Sequence, residues 1–91
     1  MLQTISITVR GKVQGVYYRQ SAKEKALELG IIGQVKNLRD GAVHIIATGT
    51  TEQIAALTEW CKKGPPRALV TGVEIIDLPL KSFEHFSIVH F

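Results

Sequence analysis

The order of strand-like and helix-like segments along this chain restricts its fold more than any other feature of the sequence. Four extended runs cover residues 4–10, 31–38, 42–48 and 69–78. The first of them alternates between apolar and polar side chains, which is the pattern of a half-buried strand. Apolar residues recur at helical spacing over residues 20–29 and again after residue 50. The chain therefore predicts the order β-α-β-β-α-β, and the apolar run at residues 83–91 is a candidate fifth strand.

Turn and cap signals support this division. Asp40-Gly41 between two apolar runs predicts a β-hairpin, so the second and third strands should be antiparallel neighbours. Thr50 and Gln53 have the spacing of a capping box, which predicts that the second helix opens there. Two lysines, a glycine and two prolines at residues 62–66 then end that helix.

The sequence allows two positions for the start of the first helix. Ser21 with Glu24 would form a capping box. The preceding loop instead favours a start near Arg19 or Gln20. The choice matters, because a shift of two residues changes which backbone N–H groups face a ligand.

The element order, with helix-length gaps after the first and third strands, is typical of the ferredoxin-like fold. Right-handed crossovers place both helices on one face of the sheet and the first and third strands in its middle. We therefore predict an α+β sandwich with a four- to five-stranded antiparallel sheet, two helices on one face and the other face open. A chain of 91 residues, 45% of them hydrophobic, suits a single domain over residues 1–91.

The connection between the first strand and the first helix, V-R-G-K-V-Q-G-V-Y-Y-R at residues 9–19, is a candidate anion site. A glycine-bearing loop that enters a helix can turn several backbone N–H groups inward, and the helix N-terminus adds partial positive charge. The first 23 residues include Arg10, Lys12 and Arg19 but no Asp or Glu. Since a guanidinium can bind two oxygens of one ligand, Arg19 favours a phosphate or a carboxylate.

Two segments together resemble the signature motifs of the acylphosphatase family: residues 9–19 and G-Q-V-K-N-L-R-D-G-A-V-H-I-I-A-T-G at residues 33–49. They stand in the family's order and at a suitable separation. G-P-P-R-A-L-V at residues 64–70 is similar to the segment that follows the second helix in that family. The chain departs from the usual pattern at Gln34, where an aromatic residue is usual, and at Tyr18, where Phe is usual. Neither position is expected to touch the phosphate.

The resemblance implies hydrolysis of the carboxyl–phosphate bond of acyl phosphates, with no metal, no cofactor and no covalent intermediate. It implies that the guanidinium of Arg19 binds the phosphoryl group and that the side chain of Asn37 orients the attacking water. The backbone N–H groups implied to complete the phosphate site are those of Gln14, Gly15, Val16, Tyr17 and Tyr18.

This chemistry is reasonable for the residue types. A carboxylate leaves readily, so the protein has mainly to position water in line with phosphorus and to stabilise charge on the phosphoryl oxygens. The amide oxygen of Asn37 can accept a hydrogen bond from water, but Asn is too weak a base to remove a proton. Asn37 is expected at the hairpin end of the second strand. It would meet the loop if the first and second strands flank the third.

Other function classes have less support. An RNA-binding module of this fold stacks bases on aromatic residues of its central strands. The outward positions here are Thr4, Ser6 and Thr8 on the first strand, and residues 42, 44, 46 and 48 on the third, which include no aromatic ring of Phe, Tyr or Trp. A metal carrier would need a pair of cysteines, which this chain lacks. A non-catalytic module that binds a phosphorylated ligand or a partner remains the alternative to the enzyme.

The composition of the chain limits its expected partners and cellular compartment. The net charge of +3 is too small to argue for nucleic acid by itself. The single cysteine, Cys61, is predicted to lie in the core and favours a reducing compartment. His44, His85 and His90 are dispersed, so no metal site is predicted. We expect a cytoplasmic monomer that acts on a small acyl phosphate and binds neither nucleic acid nor membranes.

Overall fold

The computed structural model describes residues 1–90 and has the predicted element order, with a fifth strand. The elements are β1 (Leu2–Lys12), α1 (Tyr18–Leu29), β2 (Ile32–Asn37), β3 (Val43–Thr50), α2 (Thr51–Lys63), β4 (Leu69–Leu78) and β5 (Phe86–Val89). Together they form the ferredoxin-like α+β arrangement that the sequence predicts. Neither α1 nor α2 is long and apolar enough to cross a membrane.

The five strands form one sheet in the order β4-β1-β3-β2-β5. β1 and β3 are central, as predicted, and β1 and β2 flank β3. The pairs β1–β3, β1–β4 and β2–β3 are antiparallel, whereas β5 lies parallel to β2. The sheet is therefore mixed rather than antiparallel throughout. The difference arises because the chain leaves β4 at one edge of the sheet and crosses to the opposite edge before it forms β5.

One face of the sheet carries the hydrophobic core. Ile5, Ile7 and Val9, the predicted inward positions of β1, are at most 2% exposed. They share one cluster with the buried residues of both helices, so both helices cover this face. The buried helix residues are Tyr18, Ala22 and Ala26 of α1 and Ile54, Leu57 and Cys61 of α2. The core position predicted for Cys61 is confirmed.

The opposite face is not fully open, contrary to expectation, because the chain between β4 and β5 crosses one end of it. The backbone N–H of Lys81 donates to the hydroxyl of Thr4 (2.9 Å), and the hydroxyl of Thr48 donates to the carbonyl of Lys81 (2.6 Å). The two hydroxyls are 2.7 Å apart. Thr4 and Thr48 are consequently buried although their side chains point away from the core.

Helix α1 begins at Tyr18, so the capping box proposed for Ser21 and Glu24 is wrong, and the start lies one residue before Arg19. The Tyr18 ring lies 5.3 Å from the ring of Trp60 and its hydroxyl donates to the carbonyl of Cys61 at 2.8 Å. These contacts hold the first turn of α1 against the last turn of α2. The hydroxyl, absent from the usual Phe, thereby satisfies a carbonyl that the end of α2 leaves without a helical partner.

The start of α2 agrees with the prediction. Thr50 is its N-cap and Gln53 completes the capping box, with bonds of 3.2 Å and 2.8 Å in the two directions. The helix ends at Lys63, and Gly64 follows with φ of 70°. A Cβ at Gly64 would come within 2.7 Å of the Tyr18 ring, so this position needs glycine for space as well as for its backbone angle.

Candidate active site

A cavity of about 430 Å³ lies where the β1–α1 loop meets the ends of β2 and β5. It is lined by Val13, Gln14, Gly15, Tyr17, Tyr18, Arg19, Gln20, Asn37, Ile88 and His90. The fold thus brings Arg19 and Asn37 to one cavity together with four of the five predicted loop residues. The exception is Val16, whose side chain is 6% exposed and packs in the core.

The loop before α1 alternates in the sign of φ, as anion-binding nests do. Gly15 has φ of 74° and Tyr17 has φ of 69°, and Val16 between them does not have a positive φ. Alternation of right- and left-handed residues turns successive N–H groups toward one side of the chain. Within residues 1–90, the backbone N–H groups of residues 14–18 have no hydrogen-bond acceptor. No side chain caps α1, and its first turn has no acidic residue, so this end of the helix favours an anion.

Tyr17 is the single non-glycine residue with positive φ in the described part of the chain. Its side chain is 70% exposed, so burial of the ring does not hold this conformation. Tyr18, the next residue, is only 2% exposed and fixed by its contacts with α2. Because the buried Tyr18 fixes where α1 begins, the loop must change direction just before it. Tyr17, the N-cap, makes this change by adopting a left-handed conformation.

The side chain of Gln14 holds this loop against the β2–β3 hairpin. Its Nε2 donates to the carbonyl of Leu38 at 2.7 Å and to that of Ala42 at 2.9 Å. These residues flank the tight turn, in which the N–H of Leu38 donates to the carbonyl of Ala42 and Gly41 has φ of 96°. Because Asn37 directly precedes Leu38, the Gln14 amide fixes the distance between the loop and the end of β2.

Arg19 lies in the first turn of α1 and is partly buried. Its Nη1 is 3.2 Å from Nδ1 of His90. No carboxylate of residues 1–90 lies within ion-pair distance of its guanidinium. Among residues 1–90, no acidic group therefore competes with a ligand for the charge of Arg19.

Arg10 and Lys12, the other cations of the loop segment, do not line the cavity. Arg10 instead pairs with Asp40 of the hairpin at 2.9 Å and with Glu74 of β4 at 3.1 Å. The hydrogen bond from Arg10 lowers the pKa of the Asp40 carboxyl. Of the three cations noted in the sequence, only Arg19 therefore lines the cavity, and the ion pairs hold Arg10 across the strand end.

Asn37 is the last residue of β2, as predicted. It has the same strand parity as the fully buried Val35, so its side chain is on the helix-bearing side of the sheet. Within the described chain its amide has no hydrogen-bond partner from protein, although it is partly buried. An amide with this exposure can bind water in the cavity through its oxygen.

Sequence reasoning missed the contribution of β5. Ile88 and His90 line the cavity, because parallel pairing of β5 with β2 brings the end of β5 beside the end of β2. No local pattern indicates that residues 71 positions apart, Arg19 and His90, are neighbours. The clamp made by the Gln14 side chain was also missed, since the motif indicated only a backbone role for that residue.

Two buried titratable groups, Cys61 and Tyr18, are not available for acid-base or nucleophilic chemistry near neutral pH. Burial raises the pKa of the Cys61 thiol to about 12, so Cys61 is protonated and unreactive near neutral pH. Burial likewise raises the pKa of Tyr18 far above its ordinary value. Residues 1–90 contain no group of three or more His, Cys, Asp or Glu side chains placed to hold a metal ion.

Comparison with known proteins agrees with this geometry. The family model described as Acylphosphatase matches residues 5–88. A curated acylphosphatase of Methylococcus capsulatus is 43% identical over 97% of each chain, and one of Marinobacter nauticus is 51% identical over 92% of each chain. The solved structure of an acylphosphatase from Coxiella burnetii matches with a TM-score of 0.94 and 41% identity, over 97% of this chain and 93% of that one. This chain belongs to the acylphosphatase family.

Proposed function

We propose that this protein hydrolyses the carboxyl–phosphate bond of small acyl phosphates to a carboxylate and inorganic phosphate, by direct attack of water. The observation that carries the proposal is the cavity itself. It is lined by residues of a loop whose N–H groups have no acceptor within residues 1–90, by Arg19, and by Asn37 at the end of β2.

The phosphoryl group binds in the loop. Its oxygens accept hydrogen bonds from the N–H groups of residues 14–18, and the Arg19 guanidinium neutralises their charge. These donors are held before substrate binds, by the Gln14 clamp on one side and the buried Tyr18 on the other. Donors that are already oriented stabilise the charge that develops in the transition state without reorganisation.

The water is oriented by Asn37. Its amide oxygen accepts a hydrogen bond from the water, and this directs the water's lone pair at phosphorus. As the new P–O bond forms, the bond between phosphorus and the acyl oxygen breaks and its electron pair leaves with the carboxylate. The proton of the water passes to a phosphoryl oxygen or to solvent. The step therefore needs no base on the protein, no metal and no covalent intermediate.

The site is built from one stretch of the chain and neighbouring strands, which supports a monomer as the working form. The whole chain, residues 1–91, would then act as one acylphosphatase-like domain. A buried free thiol at Cys61 supports a reducing compartment, and we place the protein in the cytoplasm. The small molecule is the proposed partner, and no nucleic acid or membrane has a part in the reaction.

Hydrolysis of a small acyl phosphate in excess chelator tests the proposal. Arg19→Ala and Asn37→Ala should each lower kcat/KM by about 10²–10³, the loss typical of removing one oriented charge-stabilising or positioning group. Arg19→Lys should also fail largely, because an ammonium cannot reproduce the planar fork. Arg67→Ala and Gln34→Ala are matched controls, since both residues lie outside the cavity and should retain full activity.

Each result has a distinct meaning. Loss of activity in chelator would exclude the metal-free reaction, and full activity of Arg19→Ala or Asn37→Ala would exclude the role of that residue. A protein that binds inorganic phosphate in the loop but never hydrolyses acyl phosphates would instead be a non-catalytic binding module.

A further inference from the structure

His90 lies beside Arg19 although most of the chain separates them. β2 and β5 are parallel, with Val35 opposite Ile88 and Lys36 opposite Val89. Asn37, the last residue of β2, and His90, which follows β5, therefore lie at the same end of the sheet. Helix α1 packs over both strands, and this brings Arg19 of its first turn within 3.2 Å of Nδ1 of His90.

The chemistry of this contact determines which group donates the hydrogen bond and which ring nitrogen of His90 accepts it. A guanidinium has five N–H donors and no acceptor, and it stays charged in proteins. Nδ1 of His90 must therefore be the acceptor, with its lone pair directed at Nη1 of Arg19. An imidazole that accepts through Nδ1 is neutral and carries its proton on Nε2.

The atom that His90 uses leaves the better edge of Arg19 free. In a guanidinium, Nε–H and one N–H of Nη2 point the same way and are spaced to bind two oxygens of one phosphate. Nη1 lies on the other side of the group. A hydrogen bond at Nη1 therefore restricts rotation of the guanidinium without occupying the edge that binds phosphate in two-point fashion.

We propose that His90 is a positioning residue for Arg19: by accepting from Nη1, it holds the guanidinium with its Nε–Nη2 edge toward the phosphate loop. This inference rests on the proposed function of Arg19. It adds a residue at the end of β5 to a site that the motifs assign to the β1–α1 loop and β2.

His90 also suits substitution. It is exposed, it follows the last residue of β5, and it is not part of the hydrophobic core. His90→Ala removes the acceptor, whereas His90→Asn keeps one, because the Asn amide oxygen lies where Nδ1 lies in histidine. His85→Ala is the matched control: His85 is exposed and lies outside the cavity, and within residues 1–90 its one hydrogen bond is from the N–H of Gly33 to its backbone carbonyl.

The first measurement concerns the contact itself and needs no activity. Nitrogen-15 spectra of the wild-type imidazole report which ring nitrogen carries the proton. We expect protonation at Nε2 with Nδ1 as acceptor, and a change in the Nε–H resonance of Arg19 in His90→Ala but not in His85→Ala. Protonation of Nδ1 in the neutral ring would overturn the proposal.

The second measurement titrates inorganic phosphate while following the Nε–H resonance of Arg19. Loss of one hydrogen bond should weaken phosphate binding roughly threefold to tenfold in His90→Ala, with recovery in His90→Asn. KM for an acyl phosphate should rise by the same factor, while kcat changes less. In an Arg19→Ala background, His90→Ala should have no further effect, because the two residues act as one unit.

The outcomes separate this inference from the proposed function. Equal phosphate binding by wild type and His90→Ala, or additive effects with Arg19→Ala, would overturn the role of His90 and leave the phosphate site intact. An Arg19 resonance that ignores phosphate in the wild type would overturn the phosphate site itself, and the role of His90 with it.

Discussion

Substitution of Gln14 by Met tests whether a side-chain clamp holds the phosphate loop in place. Met has a similar length and no hydrogen-bond donor, so Gln14→Met removes the bonds of 2.7 Å to Leu38 and 2.9 Å to Ala42 and little else. We expect the loop to separate from the hairpin while the core stays intact.

The magnitude follows from what remains after the substitution. The carbonyl of Leu38 still accepts from the N–H of Gly41, and that of Ala42 still accepts from the N–H of Leu38. Neither carbonyl is left without a donor, so only the net value of two hydrogen bonds is lost, about 1–3 kcal/mol. For a domain of this size, that lowers Tm by at least about 4 °C.

The catalytic effect should exceed the effect on stability. A displacement near 1 Å of the N–H groups relative to Asn37 can lower turnover by about 10²-fold. Gln14→Glu should be worse on both counts, because its carboxylate oxygens would face the two carbonyl oxygens. Urea unfolding and acyl phosphate hydrolysis measure the two effects separately.

Gln3→Met is the matched control. Within the described chain the Gln3 amide makes one hydrogen bond, an exposed one from the hydroxyl of Thr51 at 3.5 Å, so its removal should change stability by less than about 0.5 kcal/mol. Wild-type stability of Gln14→Met would refute the clamp. A destabilised Gln14→Met with wild-type kcat would show instead that the loop holds its position without it.

Three further predictions concern other parts of the fold. Tyr18→Phe leaves the carbonyl of Cys61 without its donor and should lower the free energy of unfolding by about 1–3 kcal/mol. We expect kcat to be unchanged, because the buried ring packed on Trp60 still holds the start of α1; denaturant titration and steady-state kinetics test the two effects. Burial and the neighbouring Lys36 lower the pKa of His44, so the unfolded chain binds protons first and stability should fall as the pH drops from 7 to 5. Urea titrations should give a flatter pH dependence for His44→Gln, and an unchanged slope would contradict this. Gly15→Ala places a Cβ at φ of 74°, where it meets no atom of the described chain within 4 Å. Backbone strain alone should therefore lower the free energy of unfolding by about 1 kcal/mol. A loss of several times that value in urea unfolding would contradict the loop geometry.

The sequence predicted correctly those features that depend on residues close together in the chain. The capping box at Thr50 and Gln53, the turn at Gly41 and the alternation of Ile5, Ile7 and Val9 are short-range features, and the structure has each of them. The start of α1 expected near Arg19 or Gln20 was within one residue, but the capping box at Ser21 and Glu24 was wrong, because the cause of the start is not local. It is set by the burial of Tyr18 against α2, about forty residues later in the chain.

The sequence by itself determined the residue types of the candidate site and the family resemblance, because the loop and the strand that carries Asn37 are contiguous motifs. The resemblance pointed to Arg19, but only the tertiary structure decided where Arg10 lies, since its ion pairs with Asp40 and Glu74 hold it outside the cavity. It also decided the place of His90, because a parallel β5 beside β2 is a consequence of sheet pairing rather than of any local pattern. Contacts between residues distant in sequence depend on how helices and strands pack together. The spacing of residues within one short segment does not indicate that packing.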